Sequence, residues 1–268
     1  MRRGVGSCGM IAGTMSNFRM LIALGTMLIA ARSTVSANAA GCSFEPQGDG
    51  RVSAVIDARS FRMDDGREVR LAGIEMVTTD GSAALGALVA GRSVTLRGET
   101  DAPDRYGRQP AFVFAEQAAA SAQHQLLAQG DALASGTVAD RACAAELLAA
   151  ETTARLARRG VWAGSMAIKN AERGDDILTR IGQFTVVEGK ALSVRQAGAV
   201  TYINFGRRWT RDFAVTISTR VMRAFEAAGI SLKSFENKRI RVRGWIEARP
   251  GPRIEVLQAG QIEMAGEN

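Results

Sequence analysis

The 268-residue sequence has a single histidine, His124, and only three cysteines, Cys8, Cys42 and Cys143. Nowhere do Cys and His stand at the spacings of a zinc site, so a zinc-built module is excluded. His124 lies in an Ala/Gln-rich helical stretch and reads as a surface residue, not as a ligand or base. Lysine is scarce too, since nearly all of the 34 basic side chains are arginine. A planar guanidinium suits phosphate and carboxylate, although a GC-rich genome also inflates arginine usage. The apolar run from Met20 to Ala31 falls short of the roughly 20 residues needed to span a bilayer, so no stable membrane insertion is expected.

That short run has another reading. Arg19 precedes it, and Ala37-Asn38-Ala39 follows as a small-residue cleavage site, the pattern of a signal peptide over residues 1–39. An uncleaved anchor is the competing reading, and Met10 or Met15 competes with Met1 as the start. Export to the periplasm or the extracellular space is the expectation. Cleavage removes Cys8, leaving Cys42 and Cys143 as the only pair in an oxidising compartment, and a disulfide between them is expected. It also removes four arginines and no acids, lowering the net charge from +7 to +3. Residues 174–268 hold 15 basic and 10 acidic side chains, against 15 and 17 in residues 40–173. The electrostatic footprint for a polyanion therefore lies in the C-terminal half.

The mature length suits two domains, and 46% hydrophobic residues supports ordinary cores. Arg51 to Ile56 is β-prone, and Asp65-Gly66 between alternating apolar residues predicts a hairpin. A short helix at Ser82–Ala90 and strands at Val94–Leu96 and Ala111–Ala115 follow. The period then changes to helical over 118–129 and 140–159, the latter N-capped by Asp140. Strands first and helices after is an α+β, mostly β layout. Residues 166–180 are polar and mixed, predicting a linker between a domain at 40–165 and another at 181–268. In the second, five strand segments with a helix between the third and fourth give the element order of a small OB-type barrel. Its long first strand, Phe184–Val194, is expected to bend at Gly189.

Residues 51–162 resemble the staphylococcal nuclease (thermonuclease) family. The matching segments are Val55–Phe61, Val69–Glu75, Asp104-Arg105-Tyr106-Gly107-Arg108 and Ala154–Trp162. The resemblance implies a five-stranded OB barrel with three helices, and residues 181–265 resemble the OB-type tail attached to some bacterial members. It also implies phosphodiester cleavage with calcium, carboxylate ligands, a water-activating glutamate and two arginines on the phosphate. Fixed positive charge and an activated water are what a pentacoordinate phosphorus requires. Arg70 and Arg108 fall on the two arginine positions. Asp57 and Glu75 are what the chain offers as metal ligands, Glu75 doubling as a catalytic carboxylate. Arg59, however, stands where the family places a ligand aspartate, and Thr78 where it places the glutamate. A calcium site needs about six to eight oxygens, so a guanidinium among them argues against the ion. Asp80 substitutes only if the loop shifts.

Two surfaces are candidates for an anion. Arg59, Arg70 and Arg108 converge on one concave surface, or else Arg59 and Glu75 form an ion pair on the barrel wall. Arg105 and Tyr106, inside the same motif as Arg108, are candidates beside it. In the second domain Arg207-Arg208-Trp209-Thr210-Arg211 interleaves basic and aromatic residues. Lys238 to Arg243 puts Arg239, Arg241 and Arg243 on alternate positions, with Tyr202, Phe205 and Trp245 as stacking platforms. Single-strand-binding barrels combine these ingredients. The plainer reading makes the arginines a solvated strand face and the aromatics core. The chain is thus expected to bind single-stranded nucleic acid or another polyanion, with an active nuclease as the alternative.

Overall fold

The computed structural model describes Cys42 and residues 44–77, 80–164 and 167–266. The expected signal peptide and Thr78 lie outside these. Among the described residues no helix is long and apolar enough to cross a membrane.

The first half runs β1 (Pro46–Val55), β2 (Ser60–Met63), β3 (Glu68–Leu71), β4 (Ile74–Met76), α1 (Gly81–Val89), β5 (Ser93–Arg97), β6 (Gln109–Ala115), α2 (Ala122–Gln129), β7 (Ala132–Ala134) and α3 (Arg141–Leu156). Five of the strands close a barrel in the order β1-β2-β3-β6-β5. The Asp65-Gly66 hairpin joins β2 to β3 as expected, with Gly66 at φ 87°, where a side chain would be strained. β3 and β6 run parallel and the other neighbours antiparallel. Alternation along the strands sends Val52, Phe61, Met63, Val69, Leu71, Val94, Leu96 and Phe112 into one core with Leu85 and Leu126 of the helices. Gln123 of α2 is fully buried; it donates to the Ala111 carbonyl at 2.7 Å and accepts from Val113 N–H at 3.1 Å, so its amide is satisfied while it ties helix to barrel.

α3 is capped as its sequence predicts, Asp140 accepting from Cys143 N–H at 2.8 Å, an arrangement that contributes about 1 kcal/mol. The same turn carries the Cys42–Cys143 disulfide, whose Cα atoms lie 4.3 Å apart. The two cysteines are 101 residues apart in sequence, and closing so long a loop contributes roughly 4 to 5 kcal/mol in the chain-entropy model.

The second half contains β8 (Ile168–Asn170), α4 (Gly174–Leu178), β9 (Phe184–Lys190), β10 (Ser193–Ala197), β11 (Val200–Asn204), β12 (Ala214–Ser218), α5 (Thr219–Ala227), β13 (Arg239–Ala248), β14 (Pro252–Val256) and β15 (Ile262–Met264). The sheet's path is β10-β11-β12-β14-β13-β9-β8, with β15 pairing β13 off that path. β9 and β10 are consecutive in the chain, separated only by Ala191 and Leu192, and β12 pairs with β14 in parallel. With β9 and β10 counted as one interrupted strand, and β8 and β15 set aside as additions, this follows the strand order of the first barrel, with α5 in the place of α1. Phe205, Phe213, Phe225, Ile246 and Ile254 fill its core.

Two expectations are corrected. The segment read as a linker, 166–180, is instead structured over its described residues: β8 pairs in parallel with β9, α4 follows, and Ala171 and Ile177 are buried. Polar composition concealed it, because so few of its side chains are apolar ones that face the core. The first strand, expected to run from Phe184 to Val194 with a bend at Gly189, instead continues through Gly189, ends at Lys190, and leaves Ser193 and Val194 to β10. A Cβ at Gly189 would lie 2.4 Å from that of Ala171, so glycine is there to let the β8 segment approach.

The halves share buried material. Leu133, Ala154 and Trp162 from the first pack with Phe184 and Val186 of β9. Beside them Arg243 of β13, wholly buried, donates to the Glu151 carboxylate at 2.9 Å, the Ala134 carbonyl at 2.9 Å and Glu263 at 2.8 Å.

Candidate functional site

β3 and the turn into β4 form one wall of a cleft of about 280 Å³ in the first barrel, lined by Arg59, Arg70, Glu75, Glu99, Thr100, Thr137 and the backbone between them. Arg70 leaves β3 at its register with Pro110. Arg59 sits in the β1–β2 turn, where its N–H donates to Asp57 Oδ1 at 2.7 Å, and its guanidinium turns inward. It donates to the Ile74 carbonyl at 2.9 Å and forms an ion pair with Glu75, both side chains mostly buried. Burial pushes the Glu75 carboxyl above the usual range, and the Arg59 charge only partly offsets this.

Of the three arginines expected to converge, Arg59 and Arg70 share this cleft, while Arg108 is not among its lining residues. The Asp104–Arg108 loop is self-contained. Asp104 Oδ1 accepts the N–H groups of Tyr106 and Arg108 at 2.9 and 3.1 Å, and its other oxygen takes two guanidinium donors of Arg108 at 3.0 and 2.7 Å. These bonds hold the Asp104 carboxyl below its ordinary pKa. Tyr106 stands 64% exposed, and the guanidiniums of Arg105 and Arg108 lie 4.7 and 4.9 Å from its ring centroid. The Arg105 guanidinium also donates to the Tyr106 hydroxyl at 2.7 Å. The loop is thus an exposed aromatic ring with two cations against it. Asp57 is exposed, and its charge is felt by Arg108. Asp80 begins α1 without a side-chain capping bond. Among the described residues no cluster of three or more His, Cys, Asp or Glu side chains is placed to hold a metal ion.

The geometry now bears on kinship. Residues 70–164 match the family model described as Staphylococcal nuclease homologue, and they coincide with the cleft's β3–β4 wall, the Asp104–Arg108 loop and α3. Over these residues the chain is similar to the staphylococcal nuclease homologues. The matched segment begins at Arg70, so Asp57 and Arg59 of the nuclease-homologue barrel precede it, and the second barrel follows it. A comparison with curated proteins returned no match.

In the second barrel the anticipated residues separate. Arg207, Arg208 and Trp209 are exposed on the loop between β11 and β12, Trp209 at 70%. Tyr202 is half-buried on β11 close by, and Trp209 and Tyr202 line a common groove. Phe205, expected as a platform, is core. Trp245 is exposed, but it packs edge-on to Phe184 and borders a different cleft. Arg241 and Arg243, expected on an anion-binding face, are buried. Arg241 donates to Glu188 at 2.6 Å and Glu263 at 3.0 Å, and Arg239 to Glu188 at 2.7 Å. The arginines of β13 do alternate onto one face, as its sequence predicts; there they meet Glu188 and Glu263, register partners of Arg241 on the flanking strands β9 and β15, and Glu151 of α3 from the first half. No local pattern announces this, because the neutralising Glu151, Glu188 and Glu263 stand far away in sequence. His124 lies 3.3 Å from Glu146 and is partly buried.

Proposed function

We propose that this is an exported member of the nuclease-homologue group whose calcium site is degenerate and which binds nucleic acid or another polyanion. The observation that carries the reading is the ion pair of Arg59 with Glu75. Calcium requires several anionic oxygens converging on one point. Here one of the two candidate ligand carboxylates, Glu75, is mostly buried and already engaged by the Arg59 guanidinium. The other, Asp57, is exposed and accepts a backbone N–H of its own turn. These residues do not fit the ion, and no catalytic step is routed through it. The phosphate-directed half of the apparatus persists. Arg70 stands in the cleft, and Arg105, Tyr106 and Arg108 offer the cations and the π-face that a nucleic-acid strand accepts. The disulfide is compatible with an oxidising compartment and supports export.

The test is incubation of the purified protein with single-stranded DNA and RNA, in calcium and in chelator, followed by gel and by filter binding. Binding without calcium-dependent cleavage is expected. Cleavage that needs calcium and disappears in Arg108→Ala overturns the reading in favour of an active nuclease with rearranged carboxylates. The double substitution Arg59→Asp, Thr78→Glu is expected to introduce calcium dependence.

A further inference from the structure

The register of the second barrel sorts β10, β11 and β12 into two faces. Ile203, Val215 and Ile254 pair in one row, all fully buried. Arg195, Tyr202 and Thr216 form a neighbouring row on the opposite face, and Asn204, Ala214 and Arg253 another. These two rows floor a groove of about 320 Å³, closed at its edges by Trp209 and by the turn Arg249-Pro250-Gly251-Pro252. Its size is at the low end of small-ligand pockets, about 300 to 1,000 Å³.

Trp209 is exposed but not loosely held. Arg208 N–H donates to Asp212 Oδ2 at 2.7 Å, and the N–H groups of Arg211 and Asp212 return to the Arg208 carbonyl at 2.9 and 2.8 Å. Gly206 packs where any Cβ would strike the Asp212 side chain, and Gly251 lies under the carbonyls of Trp209 and Asp212. An indole kept out of the core by a rigid turn is pre-organised for a partner and loses little freedom on binding it.

The charges around it are unbalanced. Arg195 and Arg249 are exposed, and neither side chain makes a hydrogen bond or ion pair with another described residue. Of the nearby acids, Glu247 holds Arg253 at 3.0 Å, Asp212 caps the Trp209 turn, and Glu236, beside Arg195, pairs with Lys233; Glu255, which continues the Arg195-Tyr202-Thr216 row on β14, is the exposed acid among the described residues there that makes no ion pair. Arg207 and Arg208 add charge from the same loop. An aromatic floor and edge with uncommitted guanidiniums suits a ligand that offers a flat π-face and anionic oxygens together, which is a nucleotide. A duplex hides its base faces in the stack, whereas a single strand presents them.

We propose that this groove binds single-stranded nucleic acid, a base stacking on Trp209 against Tyr202 while Arg195 and Arg249 take the adjoining phosphates. The inference deepens the polyanion reading above and rests on it for the ligand class, while placing the base-reading site in the second barrel and not in the nuclease-homologue cleft.

The full protein is titrated with oligothymidylate, with a duplex and with inorganic polyphosphate, following tryptophan fluorescence and affinity at several salt concentrations. The single strand is expected to quench fluorescence, and Trp209→Phe to remove most of that quench. Trp209→Ala should weaken strand binding about tenfold while leaving polyphosphate binding unchanged. Arg195→Ala with Arg249→Ala should flatten the log–log salt dependence by roughly 1.4 units, about 0.7 for each phosphate of a single strand that is no longer neutralised. All three sites are exposed, so the variants keep the fold. Wild-type affinity and salt dependence in the groove variants, with binding abolished instead in Arg70→Ala, overturns the groove and leaves the polyanion reading standing. No binding of any polyanion by the wild-type protein overturns both. A proline-rich peptide that quenches Trp209 where the strand does not reassigns the groove and overturns the proposal.

Discussion

Arg243 of the second barrel is bonded through one guanidinium nitrogen to both oxygens of Glu151 in the first, at 3.0 and 2.9 Å, with both side chains buried. Glu151 in turn accepts the Ala134 N–H at 2.6 Å, and Arg243 donates to the Ala134 carbonyl. The pair therefore grips both polar groups of one residue in β7. β7 pairs with β4, which carries Glu75 of the cleft. Burial opposes charge on Arg243, but Glu151 and Glu263 outweigh it and hold the guanidinium charged.

Removing one partner of such a pair leaves a buried charge uncompensated. Arg243→Met is expected to cost about 3 to 5 kcal/mol, measured by chemical denaturation. Adding Glu151→Gln should recover part of it, and a double-mutant cycle with no coupling would show that the contact is energetically idle.

Acid should loosen the same interface. Burial raises the Glu188 and Glu263 carboxyls, but their arginine partners prevail, and both end below the usual range. A depressed carboxyl stabilises the fold above its unfolded value of about 4.3, and that contribution is lost as pH falls through the lower folded value. Unfolding free energy is therefore expected to decline below about pH 4. Glu263→Gln should be less stable at neutral pH and show a shallower acid decline.

Reduction of the Cys42–Cys143 bond should lower stability by about 2 to 5 kcal/mol, as should its replacement by serines. Thermal melts with and without reductant check this; coincident melts would mean that the reduced chain is equally constrained.

Gly189→Ala places a methyl group against Ala171, which is tethered by a backbone bond to Glu188. A destabilisation of about 1 to 3 kcal/mol is expected from overpacking. An unchanged denaturation midpoint would show that the β8 segment moves aside freely.

Local chemistry makes much of this molecule legible in its sequence. The Asp65-Gly66 hairpin, the Asp140 cap and the two changes of hydrophobic period belong to short stretches whose conformation is decided by neighbours in the chain. The Asp104–Arg108 motif is legible for the same reason, since its bonds close within five residues. Cys42 and Cys143 pair by count once Cys8 is set aside. Alternation likewise gives β11, β12, α5, β13 and β14 of the second half in order, though not β8, α4 or β15, nor the break between β9 and β10.

What the sequence could not carry was the destination of each charge. Arg207 and Arg243 are alike as residues in a basic run, yet one meets solvent and the other meets Glu151, because β13 is roofed in part by a helix some ninety residues away. Arg59 likewise could face a ligand or a carboxylate, and only the approach of the β1–β2 turn to β4 placed it on Glu75. Arg195 and Arg249 carried no local signal; strand register and the packing of two loops brought them to Trp209. Secondary structure is governed by near neighbours, whereas the electrostatics of a site depend on which distant backbone arrives beside it.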